Sequence, residues 1–176
     1  MWDSTQNVAT LTDNWFNAMF GKGAEYMKSL YTAQNAKARE VYGTTKLGIP
    51  SVQFTKNNVK NILTEAVFNT WFGYIDSAKS AVNSDTSLTD AEKAKMIEHI
   101  NEEWISIEFL YVYIYYSQYA DDLDGVIVDT DAAKAAFREV LGYDASTGTY
   151  AKDVVLLEHA DCTLVEFIES GFTGSV

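Results

Sequence analysis

The chain has 176 residues, 47% apolar and 14% aromatic, with 13 Lys and Arg against 25 Asp and Glu. That length supports one domain with a buried core and no metal or disulfide staple, and the aromatic content excludes an unfolded chain. A single Cys excludes an intramolecular disulfide framework, and a net charge of −12 without a compact basic run opposes direct nucleic-acid binding.

In chain order, Leu11 to Phe20 and Ala24 to Tyr42 read as two helices broken by Gly21 and Gly23. Met27, Leu30, Tyr31, Gln34, Ala38 and Val41 form the apolar stripe of the second, with Gly43 as its C′ residue. Pro50 suits a first helical turn, and a helical pattern runs from Ser51 to Ser84. Its stripe is Val59, Ile62, Leu63, Ala66, Val67, Trp71, Ile75, Ala78 and Val82, with Phe68, Phe72 and Tyr74 on other faces.

Thr89-Asp90-Ala91-Glu92 is a capping box that starts the next helix. Ile97, Ile100, Trp104, Ile107, Tyr111 and Ile114 then alternate by three and four, a heptad seam for an antiparallel partner helix. The polar link Asn83 to Ser87 is short, as antiparallel neighbours require. Two helices of over ~30 residues each predict a hairpin roughly 45–50 Å long.

Downstream, Asp131 to Leu141 reads as a short helix capped by Asp129 or Thr130 and stopped by Gly142. Tyr143 to Tyr150 reads as a turn between extended arms. Val154 to Glu158 and Thr163 to Glu169 fit strand or helix, with Gly171 as a stop. The expected fold is therefore all-α: an elongated helical bundle on a long antiparallel hairpin, with a C-terminal segment that is extended or β, helix and strand both remaining open over residues 151–170. A single domain is expected, divided into N-terminal helices at 1–49, the hairpin at 50–120, and a short helix and tail at 121–176.

Few residues point to chemistry. Asp121-Asp122-Leu123-Asp124-Gly125 resembles a calcium loop, with Asp122, Asp124 and Asp131 as its ligands. Ala120 stands where the first carboxylate belongs, and Asp131 where a longer Glu normally sits, so a turn followed by an N-cap explains the run as well. A ferritin-like metal centre needs Glu-x-x-His pairs, whereas Glu98-His99 and Glu158-His159 are adjacent and point to different faces. His159 and Cys162 supply two of the three or four ligands that zinc requires. No phosphate-binding glycine loop is present, and no cofactor or enzymatic activity is expected.

The aromatic residues Trp104, Phe109, Tyr111, Tyr113, Tyr115, Tyr116 and Tyr119 surround half of one helix. Tyrosine combines an apolar body with a polar tip, which suits a partly wet subunit contact, although further helices of the same chain could cover that face. The leading expectation is a non-enzymatic structural subunit of a larger homo-oligomeric assembly, such as a shell, tube, appendage or virion component. Its partners are then copies of itself or other assembly subunits. The alternatives are an amphipathic helical coat on an apolar particle, a role phasins play, or a helical bundle that binds a small ligand or metal through Glu98, His99 and Glu102. The phasin likeness is one of composition alone.

Met1-Trp2-Asp3-Ser4 shows no basic run followed by an apolar core, so no secretory signal is expected. The most apolar stretch, Trp104 to Tyr116, contains Glu108 and is too short to span a bilayer. A cytoplasmic or assembly-associated location follows as the expectation.

Overall fold

The computed structural model describes residues 7–44, 61–115, 130–152, 156–157 and 162–171. The chain is mostly helical, in keeping with an all-α bundle. It divides into two compact units, Met1–Trp104 and Ile105–Val176, with the division inside the fourth helix.

The first unit opens with α1 (Val8–Phe20), whose N-cap Asn7 accepts hydrogen bonds from the amides of Ala9 (2.9 Å) and Thr10 (3.4 Å). Gly21 ends it at φ 50, a left-handed conformation that favours glycine. A single 3₁₀ turn, Gly21–Gly23, then leads into α2 (Ala24–Thr44). Both helices lie near where the sequence places them, but α1 starts at Val8 rather than Leu11, behind the Asn7 cap, and α2 continues through Gly43 to Thr44.

α3 (Glu65–Asn83) departs further from expectation. Residues 61–64 form a turn and Thr64 is an extended N-cap, so the helix begins at Glu65; residues 51–60 lie outside the described residues. The Thr64 side chain makes no cap hydrogen bond; Glu65 in the first turn favours the positive end of the helix, which begins there despite the continuous apolar pattern. Phe68, Trp71, Ile75, Ala78 and Val82 form the buried stripe at three-four spacing. Phe68 thus takes the place expected of Val67, which is half-buried, and Ala66, which is exposed.

α4 (Asp90–Tyr115) starts at the expected capping box: the Thr89 amide donates to Glu92 Oε2 (2.8 Å) and the Glu92 amide to Thr89 Oγ1 (3.3 Å). The chain reverses between α3 and α4, since Lys93 Nζ reaches the Asn83 carbonyl at 3.1 Å and Lys79 Nζ lies 6.0 Å from the Trp104 ring. With 19 residues, α3 is about 28 Å long, shorter than the pattern predicts, and the described 26 residues of α4 span about 39 Å. Of the heptad seam, Ile100, Ile107 and Ile114 are buried, while Ile97, Trp104 and Tyr111 are half-buried.

The most extensive packing of α3 is against α2 and the 3₁₀ turn. Its closest point is glycine-dependent. A Cβ on Gly23 would sit 3.0 Å from the Ala78 carbonyl oxygen and 3.2 Å from its Cβ. The α3–α4 link is drawn to the same turn. Asp85, 5% exposed, accepts from the Ser87 hydroxyl (2.7 Å) and amide (2.9 Å) and pairs with Lys22 Nζ at 3.0 Å. Those partners hold its carboxyl down at about 2.

In the second unit, α5 (Thr130–Val140) buries Ala133 and Phe137, with Leu141 completing the stripe. Gly142 at φ 67 ends it and admits Ala151, whose Cβ would lie 2.9 Å from an added Cβ. The expected turn is an antiparallel hairpin in which β1 (Tyr143–Asp144) pairs with β2 (Thr149–Tyr150). Asp144 Oδ1 accepts from the Ser146 amide and hydroxyl, and Gly148 sits at φ 71. The tail that periodicity leaves open resolves into both forms. β3 (Leu156–Leu157) pairs with β4 (Cys162–Thr163), and α6 (Leu164–Glu169) follows, started by a Thr163–Glu166 capping box and stopped at Gly171.

Glu169 fastens this unit. Arg138 donates to it through Nε (2.9 Å) and Nη2 (2.7 Å), the Tyr150 hydroxyl donates to it, and Lys134 pairs at 2.9 Å. These bonds, Arg138 foremost, hold the Glu169 carboxyl down at about 2. The Arg138 guanidinium also lies 4.4 Å from the Tyr143 ring centre.

Gly23→Ala should destabilise the first unit by about 1–3 kcal/mol, because the added methyl meets backbone rather than a yielding side chain. Denaturant unfolding of the variant measures this. Asp85→Ala should lower the melting temperature at pH 7. A carboxyl depressed in the folded state stabilises above its unfolded value of 3.8 and loses that contribution as pH falls toward about 2. The gap between variant and wild type should therefore narrow across that window in a pH series of thermal melts.

Candidate interaction surface

Helix α1 carries two apolar faces on opposite flanks. Phe16 and Phe20 are buried, at 6% and 1% exposure. Val8, Leu11 and Trp15 are 75%, 48% and 46% exposed, and Ala18 is exposed with them. At about 100° per residue these four fall within about 80° of one another, a continuous outward stripe about 140° from the buried phenylalanines.

The stripe carries no charge. The one ionisable residue of α1, Asp13, falls on the far side of the helix and is paired with Lys28 Nζ at 2.7 Å. On a chain of net charge −12 such a surface stands apart from its surroundings. Trp15 is also packed on one side by other aromatic rings. Its ring sits edge-on to Phe16, Phe20 and Tyr31, at centroid distances of 4.9, 5.7 and 6.4 Å. Behind this cluster, the Tyr31 hydroxyl donates to Glu103 Oε1 at 2.5 Å, and burial and that carboxylate push the phenol pKa up.

Beside α1, an open groove of about 610 Å³ is lined by Asn17, Lys22, Glu25, Tyr26, Ser84 and Asp85, among others. Its buried carboxylate, Asp85, is already engaged by Ser87 and Lys22. Tyr26, 41% exposed, extends the accessible aromatic surface at this end.

The aromatic residues expected at an interface occupy different environments. Trp104 is half-buried below Lys79, and Phe109 is half-buried with its ring 5.5 Å from Phe167. Tyr111 is half-buried 5.3 Å from Tyr115, which is 6% exposed. The Tyr113 side chain, Tyr116 and Tyr119 lie outside the described residues. Among the described residues, the large exposed apolar side chains are those of α1 and α2.

The calcium-like ligands are not brought together within the described residues: Asp131 is exposed in the first turn of α5, while Asp122 and Asp124 lie outside them. His159 also lies outside, and Cys162 is placed by its backbone in β4. Glu98 and Glu102 are exposed, and His99 Nδ1 stands 3.6 Å from Glu102 Oε2, beyond hydrogen-bond distance. No group of three His, Cys, Asp or Glu residues able to hold a metal occurs among the described residues. No helix there is long and apolar enough to cross a membrane.

The stripe was readable at three-four spacing in Val8, Leu11, Trp15 and Ala18, with no charge interleaved. What hides it in sequence is the neighbouring set Phe16 and Phe20, which makes the segment look apolar throughout. No protein-family model, curated protein or solved structure matches this chain.

One half-buried acid on α4, Glu108, gives the protein a pH signature. Burial raises the Glu108 carboxyl from 4.5 to about 7. An acid raised by folding costs stability as pH climbs between those values, since the unfolded chain releases its proton first. Glu108→Gln should therefore gain about 1–2 kcal/mol over wild type at pH 8, after discounting for partial solvation, and nothing at pH 4. Urea unfolding at the two pH values measures this.

Proposed function

We propose that the chain is a structural subunit that works by associating with copies of itself, within an assembly such as a shell, tube, appendage or virion component. The observation that carries this reading is the uncharged apolar stripe of Val8, Leu11 and Trp15 on an otherwise acidic protein. Leaving such a stripe in water forgoes roughly 25 cal/mol for each Å² that a partner would cover. A tryptophan anchor braced by its own aromatic neighbours loses little side-chain freedom on docking, which is the character of an interface hot spot.

The net charge shapes the association. Like-charged copies repel except where a neutral surface lets them meet, so contact concentrates at the stripe. The same feature could seat the chain on an apolar particle, and that outcome has its own signature. A subunit changes its native mass with protein concentration alone, whereas a particle coat stays monomeric until an apolar surface is supplied.

Light scattering after size exclusion, from about 1 µM to about 1 mM loaded protein, should show a native mass that rises above the monomer's 19.7 kDa. A constant monomer mass throughout would overturn the subunit reading. Adsorption of that monomer to hydrophobic beads would establish the particle coat in its place.

A further inference from the structure

We draw no further inference here: the strongest candidate, the open groove beside α1 lined by Lys22, Glu25, Tyr26 and Asp85, carries nothing, because Ser87 and Lys22 already engage its buried carboxylate and nothing in the structure shows what would occupy the rest.

Discussion

The first unit depends on how closely a turn of backbone approaches a helix. Gly23 brings the 3₁₀ turn so near Ala78 that a Cβ added at the glycine would press on the Ala78 carbonyl oxygen and methyl. A glycine facing an alanine lets α2 and α3 pack closely, and so fixes where Met27 and Leu30 are buried. Lys22, between the two glycines of that turn, reaches Asp85 and ties the α3–α4 link to the same place. The point of closest packing and the ion pair of the exposed Lys22 with the buried Asp85 thus act on one short segment.

The second unit is held differently. Its buried apolar residues come from the second half of α4 (Ile107, Val112 and Ile114) and from short elements, Ala133, Phe137 and Leu141 on one side and Leu164, Phe167 and Ile168 from α6. A single carboxylate supplements them. Glu169 receives Arg138, Lys134 and Tyr150, joining α5, β2 and α6 through charge-assisted hydrogen bonds. Because Arg138 also covers Tyr143, one residue on α5 engages both the hairpin and the last helix.

These devices leave α1 with a face that none of the described residues covers. Its inner face meets the aromatic cluster around Tyr31, while its outer face is apolar and uncharged. Strong negative charge over the rest of the chain discourages indiscriminate association. In the proposed subunit a neutral stripe would serve as a selective contact, and its small extent would make that contact weak for a single pair. Assemblies built from many copies gain stability by repeating such contacts, since each additional contact within one particle is formed at high effective concentration.

Local signals in the sequence determined much of the secondary structure. The Thr89–Glu92 capping box, the glycine break after Phe20, the stop at Gly142 and the Asp144–Gly148 turn all appear at the expected residues, because each depends on groups only a few residues apart. Thr163-x-x-Glu166 was equally legible as a helix start, but the flanking β-branched residues left it ambiguous between strand and helix. Tertiary structure decided the rest. Thr64 starts a helix inside a pattern that looks continuous, and Phe68 rather than Val67 faces the core, because packing against α2 selects one rotation of α3. The same holds for α1, whose sequence is apolar on two flanks. Burial of Phe16 and Phe20 turned Val8, Leu11 and Trp15 outward, and periodicity alone cannot say which of two apolar faces a fold will cover.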